Sequence, residues 1–245
     1  MPEGTYRIAD RIIKICSVYE SVQKFCADYT CAGEPFLTVR TDENDIRAEQ
    51  LKSAREAAYE GRETLFYPED YLETLAVYRK LVTAMASDGV LLMHGSAAAV
   101  DGQAYLFTAK SGTGKSTHSR LWLQHVEGSA LLNDDNPIVR LREDGSIWVY
   151  GSPWSGKTSC YVNKGMPVGA IVKLAQAPEN RIRRCTLPES YAALYSSVSG
   201  LKMNRKMYDG LHETMEKTVV SVPFYHLDCL PDADAAMVCS KTIVK

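Results

Sequence analysis

Apolar and polar residues follow each other along the chain in short blocks whose spacing predicts both strands and helices. Residues 5–18 mix apolar and polar positions in the manner of a hairpin or two short strands, and residues 43–60 are charged and alanine-rich, as in a surface helix. Pro68 begins a second helix, because proline is tolerated in a first helical turn and the acids that follow it suit the positive helix end. Gly89 ends that helix.

Three apolar segments come next, at Val90–Met93, Ala97–Val100 and Ala104–Thr108. The Asp101-Gly102 pair between the last two predicts a two-residue hairpin turn. A glycine-rich stretch then leads into a helix from about Lys115 to Val126. Further strands are predicted at 130–133, 137–142, 146–150, 169–174 and 219–227, and further helices at 188–196, 204–216 and from about Asp232. The class is therefore α/β with considerable antiparallel content, because a hairpin before the glycine-rich stretch departs from a simple βαβ repeat.

The composition limits the possible partners and location. The 245 residues carry 28 basic and 30 acidic side chains, a formal charge of −2, which gives no overall basic field for nucleic acid or an anionic membrane. No apolar run approaches ~18 residues and the start lacks the pattern of a signal peptide, so we expect a cytoplasmic protein. The length allows a small N-terminal α+β appendage at 1–66, packed on a catalytic domain at 67–245.

Two segments are similar to a phosphate-binding loop. GSPWSGKT at 151–158 fits the literal pattern GxxxxGK[ST], whereas AKSGTGKS at 109–116 has alanine in place of the first glycine. A working loop needs a strand before it and a helix after it, because the helix end offers free N–H groups and a positive dipole to phosphate. The segment 109–116 meets this requirement, because AYLFT precedes it as a strand and THSRLWLQHV follows it as a helix. The segment 151–158 is followed by helix-breaking residues, and its Pro153 lacks an N–H donor. We therefore expect 109–116 to be the loop.

This loop predicts a site for a nucleoside triphosphate with a magnesium ion. The predicted nucleotide-binding residues are Ala109, Lys110, Ser111, Gly112, Thr113, Gly114, Lys115, Ser116 and Thr117. The glycines let the backbone approach an anion closely. Lys115 can reach the terminal phosphates, and the Ser116 hydroxyl can bind Mg²⁺. The alternative is a glycine turn between strand and helix that binds no ligand.

An acidic pair stands where a strand adjacent to the loop would finish. Asp134 and Asp135 follow the apolar run Ala130–Leu132, about twenty residues after Lys115. Because adjacent residues at a strand end point to opposite sides, one carboxylate can face the metal and the other the hydroxyl that is phosphorylated. One of two close carboxylates is also well suited to act as a general base. The alternative is an Asx-rich turn before Pro137.

Most of residues 70–235, and most strongly residues 94–158, resemble the HPr kinase/phosphorylase and phosphoenolpyruvate carboxykinase group. The loop SGTGKST is similar to the carboxykinase form, and the order MHGSAAAVDGQAYLF, loop and double aspartate is similar to the HPr kinase catalytic domain. The resemblance implies a mixed central sheet, and ATP or a related nucleotide with Mg²⁺ or Mn²⁺. It also implies that one of the two aspartates is a base and the other contacts the metal, and we assign Asp135 to the metal together with Ser116. The resemblance further implies that His94 lies near the phosphates.

These observations predict an ATP- and magnesium-dependent kinase that acts on a hydroxyl of a protein, a peptide or a small molecule. Thr117 stands where HPr kinases have a glutamate, which argues against HPr itself as the substrate. A phosphoenolpyruvate carboxykinase-type activity is the second hypothesis, although full carboxykinases are much longer. A nucleotide-binding regulator without turnover is the third. Association into a homo-oligomer is compatible with the sequence.

Four further residues have two interpretations each. His94 belongs either to the active site or to the core, and His118 either contacts phosphate or faces solvent. Lys157 either is an exposed lysine or, if GSPWSGK folds over the site, neutralises charge on the transferred phosphoryl group. Trp154 either packs in the core or stacks on a substrate. We include His94 and Lys157 with Lys115, Asp134 and Asp135 among the catalytic candidates.

Overall fold

The computed structural model describes residues 1–59, 61, 63–155, 160–199 and 205–244. The chain divides into two compact units, Met1–Ala84 and Met85–Lys245. The expected boundary between residues 66 and 67 falls inside the first unit, because nearly all of the helix Glu69–Met85 belongs to that unit. Within the described part of the chain, no helix combines the length and the apolar character needed to cross a membrane.

The first unit is a small α+β structure. In chain order its elements are β1 (Glu3–Ile8), β2 (Arg11–Cys16), α1 (Glu20–Phe25), a 3-10 turn (Ala27–Tyr29), β3 (Leu37–Arg40), α2 (Glu43–Tyr59) and α3 (Glu69–Met85). β2 is the middle strand, antiparallel to β1 and parallel to β3. The predicted hairpin and both long helices are confirmed, whereas β3 was not predicted.

A buried carboxylate on α3 ties this unit together. Glu73 accepts hydrogen bonds from the backbone N–H groups of Val18 and Tyr19 at 2.6 and 2.8 Å, and from the Thr41 hydroxyl at 2.6 Å. A fully buried carboxylate is stable only when its oxygens are hydrogen-bonded in this way. These bonds explain why α3 groups with the residues that precede it along the chain.

In the described residues, the second unit contains a nine-stranded mixed sheet and four helices. Its elements are β4 (Val90–Leu92), β5 (Gly95–Val100), β6 (Gln103–Thr108), α4 (Lys115–His125), β7 (Ala130–Asp135), β8 (Ile138–Leu141), β9 (Ile147–Tyr150), β10 (Gly165–Gln176), β11 (Arg181–Arg184), α5 (Leu187–Tyr195), α6 (Arg205–Ser221), β12 (Phe224–Cys229) and α7 (Ala233–Ile243). The strand order is β4-β8-β9-β10-β6-β5-β7, and β12 pairs with both β10 and β11. The α/β class with a mixed sheet is therefore confirmed.

The long strand β10 connects the antiparallel and parallel parts of this sheet. Its first residues, Gly165–Pro167, pair antiparallel with β9. Its later residues pair parallel with β6 on one side and with β12 on the other. The carboxyl ends of these three parallel strands therefore lie at one edge of the sheet, which is where α/β proteins commonly bind ligands.

Helices cover both faces of the sheet. On one face, Trp122 of α4 is fully buried with its ring centroid 5.4 Å from that of Tyr105 and 5.1 Å from that of Phe107. On the other face, Leu194 of α5 and Met215 of α6 are fully buried. Burial of large apolar side chains on both faces holds the sheet in place. It also fixes the start of α4 beside the carboxyl end of β6.

The turn between β5 and β6 has the predicted form. Asp101 and Gly102 both have positive φ, 50° and 75°, as a two-residue hairpin of type I′ requires. The turn brings β5 next to β6 in antiparallel register, and β7 pairs with the other side of β5. The end of β7, with its two aspartates, is thereby placed near the residues that follow β6.

Candidate functional site

A glycine-rich loop connects the end of β6 to the start of α4. Gly112 and Gly114 have φ of 79° and 114°, in the left-handed region that favours glycine. Gly114 is the N-cap of α4, and no side chain of the described residues caps this end. The first N–H groups of the helix therefore keep their capacity to bind an anion, supported by the positive end of the helix dipole. The strand, loop and helix order expected for 109–116 is observed.

Lys115, the first residue of α4, is buried although it is charged. Only 8% of its surface is exposed, and its ammonium group donates to the Ala109 carbonyl at 3.2 Å and to His94 Nε2 at 3.1 Å. Burial lowers its pKa, and the negative charges of Asp135 and Asp134 oppose that shift. The lysine is thus held at the helix start by groups that accept its hydrogen bonds.

The contacts of His94 determine which of its ring nitrogens carries the proton. A lysine ammonium has donors and no acceptor, so His94 Nε2 must accept from Lys115 and is unprotonated. The N–H of the ring is then on Nδ1, which lies 3.2 Å from Asp135 Oδ1. Lys115, His94 and Asp135 consequently lie in one row of close polar contacts, with the histidine in its centre.

The two aspartates contact different partners. Asp134 Oδ1 accepts a hydrogen bond from Ser116 Oγ at 2.9 Å, whereas Asp135 contacts His94. This division follows from strand geometry, because adjacent residues at the end of β7 point to opposite sides. The geometry brings Asp134 beside Ser116, which differs from the expectation that Asp135 and Ser116 share the metal.

Asp135 is held in an unusual backbone conformation. Its φ is 101°, which is uncommon for a residue other than glycine and costs about 1–3 kcal/mol. Asn136 Nδ2 donates to Asp135 Oδ2 at 3.0 Å, and the Asn136 backbone N–H donates to Asn133 Oδ1 at 3.0 Å. Asn133 is fully buried and also donates from Nδ2 to the Ser152 carbonyl at 2.9 Å. This positioning role of Asn133 was not predicted, although the run NDDN contained the signal.

The described part of the second glycine-lysine segment, residues 151–155, is packed closely against neighbouring backbone. A Cβ atom on Gly151 would lie 2.1 Å from the Val162 carbonyl oxygen and 2.9 Å from that of Leu132. This glycine is therefore required by close backbone packing, which explains the pattern match without a phosphate. Trp154 is 4% exposed, in agreement with a packing role. Lys157 lies outside the described residues, so its role stays a prediction.

His118 does not face solvent, and its contact with phosphate stays a prediction. It is 3% exposed, its Nε2 accepts a hydrogen bond from Trp122 Nε1 at 3.1 Å, and its ring lies edge-on to Phe107 with centroids 4.8 Å apart. Its Nδ1 has no hydrogen-bond partner among the described residues. Burial lowers its pKa to about 4. The solvent-facing alternative was left open because the sequence does not reveal which side of α4 faces the sheet.

The buried His118 predicts a pH-dependent loss of stability. The ordinary histidine pKa is about 6.5, and the folded value is about 4, so the unfolded chain binds a proton that the folded protein does not bind between these values. The stabilisation is complete above pH 6.5 and is lost as the pH falls to 4, by about 3 kcal/mol. Urea unfolding of His118→Phe should lack this part of the pH dependence. His125→Phe, an exposed position on the same helix, should retain it, and an unchanged slope in His118→Phe would refute the assignment.

The described residues offer no ready-made protein cage for a metal. Across these ranges, no group of three or more His, Cys, Asp or Glu side chains is arranged to hold an ion. Magnesium does not need such a cage, because it commonly binds one or two carboxylates together with substrate phosphates and water. Ser116 and Asp134 supply oxygen atoms of the type that magnesium prefers.

Comparisons with known proteins give little further information. No protein-family model and no curated protein matches the chain. Among solved structures, the HPr(Ser) kinase/phosphatase from Coxiella burnetii is similar to 61% of this chain and 91% of its own, with 13% sequence identity and a TM-score of 0.34. A likeness this low assigns neither an activity nor a ligand.

Proposed function

We propose that this protein is a phosphotransferase that moves the terminal phosphate of ATP, or of a related nucleotide, to a hydroxyl group. The acceptor hydroxyl belongs to a small molecule, a peptide or a protein. One observation carries the proposal. Lys115 and Ser116 at the start of α4 lie within hydrogen-bond contact of His94 and Asp134, and His94 in turn contacts Asp135. The sequence resemblance of these segments to the HPr kinase and carboxykinase group agrees with it.

The start of α4 is suited to hold the phosphates of the nucleotide. Its N–H groups and helix dipole attract the phosphate oxygens, and the glycine-rich loop lets the backbone approach them. Lys115 adds a positive charge, and its contacts with Ala109 and His94 restrict where that charge can lie. Positioning and charge stabilisation are the main contributions that a protein makes to phosphoryl transfer.

Ser116 and Asp134 fit the binding of a magnesium ion. Their oxygen atoms are 2.9 Å apart, and each is a hard ligand. A bound Mg²⁺ would neutralise negative charge on the phosphate oxygens. Ser116 donates its hydroxyl hydrogen to Asp134, and this contact keeps the two oxygens together. We therefore assign Asp134 to the metal in place of Asp135.

Asp135 is then the general base. Its carboxylate accepts the proton of the acceptor hydroxyl while that oxygen forms a bond to the terminal phosphorus. The bond between this phosphorus and the bridging oxygen breaks, and the nucleoside diphosphate leaves with the electron pair. Asn136 donates to Asp135 Oδ2 and the His94 ring lies 3.2 Å from Oδ1, so the carboxylate has a polar neighbour on each oxygen.

The proposal is tested with ATP that carries a labelled terminal phosphate. The protein is incubated with this nucleotide, Mg²⁺ and a fractionated cell extract, with a chelator-treated sample as control. We expect magnesium-dependent formation of ADP together with one labelled acceptor. A thermal shift with ATP and Mg²⁺ but no labelled product in any fraction would instead support a regulator without turnover. Nucleotide-dependent release of carbon dioxide from oxaloacetate would support the carboxykinase alternative.

A further inference from the structure

A cavity of about 430 Å³ lies on the outer side of the glycine-rich loop and the first turn of α4. Its volume is within the range of about 300–1,000 Å³ that is typical of small-molecule sites. One side is formed by Gly112–Gly114 and Thr117, and the other by the carboxyl ends of β10 and β12. The cavity therefore begins where the phosphate-binding residues proposed above end.

The walls of this cavity are mainly apolar. Its apolar side chains are Leu121, Leu174, Ala177, Leu230 and Pro231. Leu174 is buried in the sheet, whereas Leu230 is partly exposed at the mouth. Apolar walls that are open at one end suit a flat aromatic ring, because both faces of the ring leave water on binding. A nucleotide base is such a ring, and the phosphates attached to it would extend toward the loop.

Gln176 is a polar group of the cavity wall, which also includes Thr113, Thr117 and His118, and its amide can distinguish one base from another. Its Nε2 donates to the Thr113 carbonyl at 3.2 Å, and because a carbonyl oxygen only accepts, this contact fixes the orientation of the amide. The side chain keeps Oε1 as an acceptor and one N–H as a donor. Glutamine pairs with adenine through such a donor and acceptor, whereas guanine presents two acceptors at the same edge.

We propose that this cavity holds the base of the donor nucleotide and that Gln176 selects adenine over guanine. The proposal rests on the phosphotransferase function inferred above and extends it to the identity of the donor. It predicts ATP as the donor, because adenine satisfies Gln176 Oε1 with its amino group. The guanine carbonyl would place two acceptor oxygens against each other and leave both without a donor.

The test is calorimetric titration with three probes, Mg·ATP, Mg·GTP and Mg·tripolyphosphate, the last of which has phosphates and no base. We expect the unaltered protein to bind ATP at least about tenfold more tightly than GTP. Gln176→Leu should lose most of this preference and bind tripolyphosphate as before. Ala177→Phe, which fills the cavity, should weaken both nucleotides about tenfold and leave tripolyphosphate unchanged. Gln124→Leu, an exposed position on α4 away from the cavity, is the matched control and should behave as the unaltered protein.

The outcomes separate the two proposals. Equal or tighter binding of GTP by the unaltered protein would overturn the role of Gln176, and normal ATP binding by folded Ala177→Phe would overturn the cavity as the base site. In both cases, binding of tripolyphosphate would leave the phosphate site in place. Failure of the unaltered protein to bind any of the three probes would overturn the phosphotransferase proposal and, with it, the inference about the base.

Discussion

Lys115→Met is expected to reduce phosphoryl transfer by about a thousandfold, close to complete loss in a routine assay. The substitution removes the charge held beside Ala109 and His94, which the proposed function places at the phosphates, and it leaves His94 Nε2 without its donor. Methionine is unbranched and occupies the narrow space that the lysine stem leaves. Because the lost charge was partly desolvated, we expect the thermal unfolding midpoint to stay within a few degrees of the original.

The measurement for Lys115→Met is the initial rate of ADP formation under saturating nucleotide, alongside circular dichroism melting. Lys241→Met is the matched control, since Lys241 is an exposed lysine on α7. It should retain the full rate. A folded Lys115→Met protein with more than about a tenth of the original rate would contradict the placement of this lysine at the transferred phosphate.

The two aspartates are expected to give different phenotypes when each is changed to asparagine. Asp134→Asn should raise the Mg²⁺ concentration needed for half-maximal rate, because Asp134 is the carboxylate that lies beside Ser116. Asp135→Asn should lower kcat by about 10²–10⁴ with little change in nucleotide affinity, because it removes the base. Asparagine is the informative replacement at 135, since it tolerates the positive φ of 101° better than other residues.

The control for the aspartate pair is Asp101→Asn, an exposed carboxylate in the β5–β6 turn that also has positive φ. It should leave both the magnesium dependence and kcat unchanged. If Asp134→Asn lowers kcat at saturating Mg²⁺ while Asp135→Asn shifts the magnesium dependence, the assignment is reversed. The expectation from sequence alone, which placed Asp135 at the metal, would then be restored.

Much of the fold follows from local sequence signals. Turn residues with required backbone angles, such as Asp101-Gly102, and periodic apolar positions, as in α3, predicted the corresponding elements. β10 was predicted only at 169–174, because its first residues pair with β9 and lack the continuous apolar character of its buried centre. The edge strand β11 was missed for a related reason. Its arginines are mostly exposed, and only its pairing with β12 makes it a strand.

The sequence predicted which residues form the candidate site better than it predicted their contacts with one another. The loop, the lysine and the acidic pair each have a recognisable spacing, and strand alternation separates the two acids. The sequence could not indicate which of the two aspartates contacts Ser116, because that contact depends on the register of β7 against β5. The positive φ of Asp135 and the supporting hydrogen bonds of Asn133 depend on the same tertiary packing. Burial of His118 likewise required knowledge of how α4 lies on the sheet.

The choice of phosphate-binding segment is tested most directly by the affinity for Mg·ATP of two lysine variants. Titration calorimetry of Lys115→Met and Lys157→Met compares the two glycine-lysine segments without knowledge of the acceptor. We predict that Lys115→Met weakens binding at least about thirtyfold and that Lys157→Met changes it less than about threefold. Strong loss in Lys157→Met with normal binding by Lys115→Met would place the phosphates at the second segment and contradict the central claim.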